Sequence, residues 1–338
     1  MEIVFVHFGP KLPKHLQLNL KRTCELLPNV TVTLITDRSH AFHADHSNYF
    51  NQIVSKGREF SDVSARLNHP KDFRNNFWFN SLARLIAVSD FVISRQSSVL
   101  HIESDVIVSP DFPIAKFLEL DRPIAYTIIG PGVGVASLLW IKDNDSARQL
   151  KSFIHSSVVR DSNTTDMKIL GSFQNEHPNQ VRILSSFPTK GQTDSLPMGV
   201  SLLEDFTYTQ GLFCGHFDAA DVGQYLFGDD PRNHRGIKYV RKELETSFLN
   251  PSKHHFGFSE EREFIEFSGD TYRNIYSLHI HSKDSRMFRT STQIKTVKRA
   301  LLNQGRGESH LFVPTVFLRS VGISLKRRIG IFRSLLAS

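Results

Sequence analysis

The sequence predicts an α/β fold built on a largely parallel sheet. Its opening has a strand–helix–strand pattern, with apolar strand-like runs at 2–8 and 31–36 and an amphipathic helix near 13–27 between them. Such a unit places its two strands in parallel and connects them by a right-handed crossover. The chain has 338 residues, 40% of them apolar and 22% charged, which suits one large globular domain or two smaller ones.

The remaining elements are predicted from hydrophobic periodicity along the chain. The first helix shows apolar residues every three or four positions, and a weak third strand at 51–55 leads into a polar connection that ends near Asn76. Residues 186–216 are rich in Pro, Gly, Ser and Thr, which is typical of loops and short strands. Beyond these segments we predict strands at 99–107, 123–129, 135–141, 181–185 and 276–283, and helices at 77–91, 145–155, 164–173, 217–230 and 292–304.

Charge divides the chain into a body, residues 1–284, and a basic tail, residues 285–338. The tail has eleven basic residues and one acid, a net charge of +10, which leaves −3 on the body. Its basic residues alternate with Phe, Leu and Ile, a composition that suits an anionic membrane surface. The tail could equally pack its apolar side on the body and leave its charges in solvent. We favour the membrane interpretation.

The segment 99–107 carries two carboxylates at the end of an apolar run. In a continuous strand, Val99, His101, Glu103 and Asp105 would share one face. Burying unpaired carboxylates is costly, so a divalent cation is a reasonable partner for them. The alternative is that Asp105 only starts a turn.

The segment 276–283 offers a second set of polar side chains. Alternation predicts His279, His281 and Lys283 on one face, with Leu278 and Ile280 buried on the other. Imidazoles and an ammonium group could hold a metal ion and an anionic phosphate. An edge strand with a solvated face explains this segment equally well when it is taken alone. The presence of both segments in one chain favours a metal site.

Other candidate residues follow from the expected sheet. Ligands of open α/β sheets bind at the carboxyl ends of the strands, where Gly9 and Asp37 are predicted to lie. Asp37 could bind a nucleotide or only form a turn. Neither a dinucleotide fingerprint nor a P-loop is present. Arg84 interrupts an apolar helix face, so it either reaches solvent or pairs with an acid.

These segments carry a resemblance to GT-A-fold glycosyltransferases. Glu103-Ser104-Asp105 resembles their DxD motif, and 278–283 resembles their late histidine element. The opening strand with His7 and Gly9, the helix around 77–85 and the segment 217–226 extend the resemblance over residues 1–284. Because Glu103 replaces the first acid of the motif, Asp105 is the safer metal ligand.

The resemblance implies an enzyme that moves a sugar from a nucleotide-sugar donor to a glycan or lipid-linked acceptor, as in the synthesis of surface polysaccharides. It implies a GT-A-like domain at 1–284, with a donor half (1–108) and an acceptor half (109–284), and a divalent cofactor, Mn²⁺ or Mg²⁺. The roles that it implies are metal binding by Asp105, His279 and His281, donor binding by His7, Gly9, Asp37, Arg84, Glu103 and Lys283, and catalysis by Asp218 and Asp221.

The predicted helix at 217–230 bears on the catalytic residues. Asp218 would be its N-cap and Gly228 its stop. Gly223 inside a helix costs roughly 1 kcal/mol relative to alanine, so close backbone packing or approach of a ligand is expected there. Asp218 or Asp221 is a candidate base for the acceptor hydroxyl, although capping explains Asp218 equally well. Asp166 is a further candidate on the acceptor side.

Two other classes of function compete with this hypothesis. A metal-dependent phosphoesterase or nuclease could use the same acids and histidines, but it would need more clustered ligands. A nucleic-acid-binding protein is suggested by a pI of about 9.4, but the positive charge is concentrated in the tail. We therefore expect no nucleic-acid partner. With two cysteines and no secretory pattern at its start, the chain is expected in the cytoplasm, peripherally at the inner face of the membrane.

Overall fold

The protein is known from a computed structural model with two sheets and seven α-helices among the residues that it describes. These are 1–40, 46–54, 58–74, 76–186, 200–228, 230, 255–259, 263–268 and 271–289. The predicted basic helix at 292–304 and most of the basic tail lie outside them.

Among the described residues, twelve strands form the two sheets. They are β1 (Glu2–His7), β2 (Thr31–Thr36), β3 (Tyr49–Ile53), β4 (Val99–Ile102), β5 (Val106–Val108), β6 (Ile124–Gly130), β7 (Val133–Ile141), β8 (Val181–Ile183), β9 (Gly215–Phe217), β10 (His255–Ser259), β11 (Glu263–Ser268) and β12 (Thr271–His279). The larger sheet has the order β3-β2-β1-β4-β7-β6-β8, and the smaller one has the order β10-β11-β12-β5, with β9 paired to β12.

The larger sheet is mixed and mostly parallel. β1 pairs in parallel with β2 and β4, β2 pairs in parallel with β3, and β6 pairs in parallel with β8. Only β7 runs against its two neighbours, β4 and β6, among the described strands. The predicted α/β class, with a mixed and largely parallel sheet flanked by helices, is therefore confirmed.

Helices cover both faces of this sheet because its strands are apolar on both sides. Ile3 and Phe5 of β1 pack in one cluster with Leu16 and Leu20, whereas Val4, on the opposite face, belongs to a second cluster that includes apolar residues of the third, fourth and fifth helices. The helices are α1 (Lys14–Leu26), α2 (Arg58–Arg66), α3 (Phe77–Arg95), α4 (Asn144–Arg160), α5 (Asp166–Glu176), α6 (Val200–Phe213) and α7 (Asp221–Phe227), and a 3-10 helix spans Ile114–Glu119.

The predicted continuous strand at 99–107 is wrong. The chain forms β4, turns at Glu103–Asp105 and continues as β5 in the other sheet. The Glu103 N–H still donates to the Ser137 carbonyl of β7 at 3.1 Å, and the chain then turns as the Val106 N–H donates back to the Glu103 carbonyl at 3.0 Å. His101 therefore does not share a strand face with the acids. It is fully buried, and its Nδ1 lies 2.9 Å from the Val4 carbonyl oxygen.

Four further segments differ from the prediction. The polar connection before Asn76 contains α2, and the supposedly irregular stretch 186–216 contains the 14-residue helix α6, whereas 187–199 lie outside the described residues. The late strand ends at His279 instead of continuing to Lys283. The predicted helix at 217–230 is only α7, because β9 extends through Phe217 and Gly228 ends the helix with φ 81°.

α3 has the length and apolar content of a membrane-spanning helix. In its most apolar stretch of 18 residues, 61% is buried inside the fold. Residues such as Leu82, Leu85 and Val88 are fully buried against the sheet and the neighbouring helices. α3 is therefore a core helix of the domain.

Candidate functional site

The turn between β4 and β5 holds the two motif acids at the edge of the larger sheet where the parallel strands end. α1 fixes this turn: the Asn19 side-chain amide donates to the carbonyl oxygens of Ser104 at 3.2 Å and Val106 at 2.7 Å. Glu103 and Asp105 are buried, at 8% and 7% exposure. The turn therefore presents two carboxylates from a rigid backbone.

The smaller sheet brings His279 to these acids across about 175 positions of sequence. β12 pairs with β5 so that His279 lies opposite Val106, and the Ile280 N–H donates to the Asp105 carbonyl at 2.7 Å. As a result, His279 Nε2 lies 3.5 Å from Glu103 Oε2 and 3.5 Å from Asp105 Oδ1. The convergence expected for the acidic segment and the late histidine segment is present.

Glu103, Asp105 and His279 form a group suited to a divalent cation. One ligand atom from each lies within 4.8 Å of the others, and all three residues are buried. His279 Nδ1 donates to the Ala219 carbonyl at 3.0 Å, so Nε2 faces the carboxylates. An imidazole anchored in this way through its other nitrogen is the usual arrangement of a metal-binding histidine. Two carboxylates and one imidazole are ligands that Mn²⁺ accepts.

The same charges shift the pKa values of the group. Burial lowers the pKa of His279, but the carboxylates of Asp105 and Glu103 outweigh burial and raise that pKa to about 9. Burial raises the pKa of Asp105, and the positive charges of Lys283 and His279 overcome it, so this pKa lies well below its usual value. The carboxylate is therefore ionised, the form in which it can bind a cation.

Two cationic side chains flank the acids. Lys283 Nζ donates to Asp105 Oδ2 and lies 3.6 Å from Asp230. Arg84, from α3, lies 2.5 Å from Glu103 and 3.3 Å from Asp166. Of the two alternatives left open for Arg84, the structure shows pairing with acids, and the partners are Glu103 and Asp166. Lys283 and Arg84 together place two positive charges beside the possible metal ligands.

Asp218 holds the end of β12. Its two carboxylate oxygens accept the backbone N–H groups of Val222 at 3.0 Å, Gly223 at 2.8 Å and His279 at 3.0 Å. Burial raises the pKa of Asp218, and these donors partly offset the effect. The carboxylate is thus committed to positioning the backbone of His279 and the start of α7.

Gly223 and Asp221 also lie at this junction. A Cβ at Gly223 would lie 2.0 Å from the His279 carbonyl oxygen, which confirms the close backbone packing expected there. Asp221 begins α7 and is 5% exposed. The catalytic roles of Asp218 and Asp221 stay predictions, and the contacts of Asp218 favour a structural role.

The other predicted site residues lie at two places. His281 is outside the group of three possible ligands, and its ring stacks on that of His279 with centroids 4.1 Å apart. At the carboxyl ends of β1 and β2, the Gly9 N–H donates to Asp37 Oδ1 at 3.3 Å, and His7 Nε2 lies 3.0 Å from the Lys11 carbonyl oxygen. This pair of strand ends is on the same edge of the sheet as the turn at Glu103–Asp105, because β1 pairs in parallel with both β2 and β4.

Two charged residues beside the site were missed by the sequence analysis. Asp230 is buried, and its Oδ2 lies 3.6 Å from both Lys283 Nζ and Arg74 Nη1. Arg74 lies in the polar connection before Asn76 and Asp230 is the last residue of the predicted helix at 217–230, and neither belongs to a motif that would distinguish it from other surface residues. Their role becomes visible only from the fold.

Comparison with known proteins adds structural likenesses only. No protein-family model and no curated protein matches this chain. Similar solved structures include the galactosyltransferase LgtC in complex with donor and acceptor sugar analogs, at 16% identity and a TM-score of 0.42, covering 62% of this chain and 84% of LgtC. Another is the glycosyltransferase GlyE of Streptococcus pneumoniae, at 17% identity and a TM-score of 0.38, where 54% of this chain matches 45% of GlyE.

A third similar structure is mouse xyloside xylosyltransferase 1, at 7% identity and a TM-score of 0.38, covering 57% of this chain and 90% of that chain. All three solved structures are glycosyltransferases, the class named by the sequence resemblance. At identities and TM-scores this low, the likeness does not assign an activity.

Proposed function

We propose that this protein is a metal-dependent glycosyltransferase that moves a sugar from a nucleotide-sugar donor to a glycan or lipid-linked acceptor. The observation that carries the proposal is the convergence of Glu103, Asp105 and His279 on one point, with Lys283 and Arg84 beside them. A nucleotide-sugar has a diphosphate whose negative charge increases as the glycosyl bond breaks. A site with ligands for one cation and two adjacent positive side chains suits that group.

In this proposal, Asp105, Glu103 and His279 hold Mn²⁺ or Mg²⁺, which when bound acts as a Lewis acid on the departing diphosphate. Lys283, which pairs with Asp105, neutralises phosphate charge. Arg84 orients Glu103 through their 2.5 Å contact. Gly9 and Asp37, joined at the ends of β1 and β2, bind the nucleoside part of the donor, with His7 next to them.

The main alternative, a phosphoesterase or nuclease with two metal ions, is less well supported. Such a site needs a second set of ligands about 4 Å from the first metal. Among the residues that the structure describes, Glu103, Asp105 and His279 are the one group of three or more possible ligands. We therefore propose that the protein transfers a glycosyl group and does not hydrolyse simple phosphate esters.

The cytoplasmic location and the contact of the tail with an anionic membrane are also proposals. They are supported by composition: two cysteines far apart in sequence, and eleven basic residues against one acid after residue 284. A membrane-bound tail would bring the enzyme to a lipid-linked acceptor.

Metal-dependent donor hydrolysis is the first test of the proposed function. We expect at least one nucleotide-sugar from a panel with uridine, guanosine, cytidine and thymidine diphosphates to be hydrolysed slowly with Mn²⁺, and hydrolysis to stop with EDTA. The released nucleoside diphosphate is measured by a coupled phosphatase assay. Release of phosphate from p-nitrophenyl phosphate without turnover of any nucleotide-sugar would instead show that the protein is a phosphoesterase.

A further inference from the structure

A group of aromatic rings lies exposed at the start of α3. This aromatic platform consists of His69, Phe73, Phe77 and Trp78. The rings of Phe73 and Trp78 are nearly parallel, at 13° with centroids 5.8 Å apart, and Trp78 stacks on His69 at 5.2 Å. Phe73 and Phe77 remain 40% and 38% exposed. Single exposed apolar side chains are common, but a contiguous exposed group of rings is typical of a binding surface.

The rings are held in place by their neighbours. His69 Nε2 lies 2.7 Å from the Thr164 carbonyl oxygen, and the preceding Asn68 N–H donates to the Ser162 carbonyl at 2.9 Å. The Arg74 guanidinium lies 5.2 Å from the centre of the Phe73 ring and 5.7 Å from that of Phe77. Because these contacts fix the rings before any ligand arrives, little conformational entropy would be lost on binding.

Two sets of neighbouring residues connect the aromatic platform with the candidate site. Arg74 Nη1 and Lys283 Nζ both lie 3.6 Å from the same oxygen of Asp230, and Lys283 pairs with Asp105. Along α3, Phe77 and Arg84 are seven residues apart, so they lie on one side of the helix, two turns from each other. Arg84 contacts Glu103.

We propose that the aromatic platform binds a pyranose ring of the acceptor glycan, an inference that rests on the proposed function. The hydrogens on the flat face of a pyranose carry a slight positive charge and pack on the negative face of an aromatic ring. The hydroxyls around the sugar ring need polar partners, and Arg74 and Asp230 lie at the border of the platform. Apolar surface with a few placed polar groups is typical of small-ligand sites.

The position of the platform favours the acceptor over the donor base. Gly9 and Asp37, the proposed nucleoside site, lie at the ends of β1 and β2. The platform is instead anchored to 162–164, just before α5, which packs on β7. Asp166 of that helix contacts Arg84. A sugar on the platform would thus lie beside α3 and the start of α5, whereas the proposed nucleoside site lies at the ends of β1 and β2.

Intrinsic fluorescence of the full chain tests this inference. The protein has two tryptophans: Trp78 in the platform, and Trp140, which is fully buried in the sheet. We expect a saturable change in emission with at least one of methyl β-glucoside, methyl β-galactoside, lactose, cellobiose, maltose and N,N′-diacetylchitobiose, and no such change in Trp78→Phe. Phe77→Ala is expected to weaken that sugar's affinity about tenfold. Phe50→Ala, which removes a ring that is 51% exposed on β3, is the matched control and should leave the affinity unchanged.

The outcomes separate the aromatic platform from the rest of the proposal. Metal-dependent donor hydrolysis together with no saturable signal from any sugar would overturn the acceptor subsite and leave the glycosyltransferase proposal standing. The same conclusion follows if Phe77→Ala weakens nucleoside diphosphate binding, or binding to anionic phospholipid vesicles, while sugar affinity stays the same. Absence of donor hydrolysis in the unmodified protein would remove the proposed function and this inference with it.

Discussion

Asp105→Asn is expected to reduce metal-dependent donor hydrolysis by at least about 100-fold. Replacing a residue that only hydrogen-bonds to a metal ligand typically costs about 10–100-fold in metal affinity or activity, and Asp105 is proposed to bind the metal directly. Asp105 is ionised and lies between His279 and Lys283. An asparagine of the same shape keeps the turn between β4 and β5 but removes the negative charge that a cation requires. Hydrolysis with Mn²⁺ and the Mn²⁺-induced rise in unfolding temperature are the two measurements.

The matched control for Asp105→Asn is Asp90→Asn. Asp90 also pairs with a lysine, Lys151, but on the solvent side of α3, with its side chain 40% exposed. A surface pair of this kind contributes about 0–1 kcal/mol, so activity and metal response should be unchanged. If Asp105→Asn keeps a normal response to Mn²⁺ and a normal hydrolysis rate, Asp105 is not a ligand.

Gly223→Ala is expected to destabilise the protein by about 1–3 kcal/mol or more and to impair donor binding. The added Cβ would lie 2.0 Å from the His279 carbonyl oxygen and 2.9 Å from Asp218 Oδ2. Because the nearest atom belongs to the backbone, α7 and the end of β12 must separate. That movement would break the bond between the Gly223 N–H and Asp218 and shift His279. Urea unfolding and Mn²⁺-dependent donor binding measure the two effects.

Gly211→Ala is the control for this substitution. Gly211 lies in α6, and a Cβ there would have no neighbour within 4 Å. Alanine in a helix is favoured over glycine by up to about 1 kcal/mol, so Gly211→Ala should be neutral or slightly stabilising. Equal stability of the two variants would show that α7 is not packed against β12 as described.

The parts of the fold that could be predicted are those in which one local pattern decides the outcome. The apolar run Glu2–His7 and the Leu16 and Leu20 periodicity of α1 predicted the β-α-β opening, which the structure confirms. α3 was predicted from its apolar residues, although it extends to Arg95. The cost of placing a guanidinium on an apolar helix face left two alternatives for Arg84, solvent or an acid, and the fold decides for the acids.

The elements that were missed depend on tertiary contacts or on a pattern hidden by composition. Leu202, Phe206, Thr209 and Phe213 are buried at helical spacing in α6, but the Pro, Gly, Ser and Thr content of the whole stretch 186–216 suggested loops. The break at Glu103–Asp105 is followed by β5, whose partner β12 is far away in sequence. Local periodicity contains no information about such a partner.

The candidate site was predictable in its acids and histidine but not in its surroundings. Asp105 and His279 were chosen from residue type and resemblance, and β5–β12 pairing brings them together. His281 was an equal candidate because a continuous strand would have put it on the same face, whereas β12 ends at His279. Asp230 could not be found, because the residues that it contacts, Arg74 and Lys283, are far apart in sequence. The rings of the aromatic platform are close in sequence, but their stacking and exposure depend on the fold.

The central claim is that Glu103, Asp105 and His279 bind one divalent cation. Crystals of the full chain soaked in Mn²⁺ alone, with diffraction recorded at the manganese absorption edge, test it most directly. We expect one anomalous difference peak in contact with the side chains of these three residues. A clear manganese peak elsewhere with none at this position, or no manganese bound at all, would contradict the account.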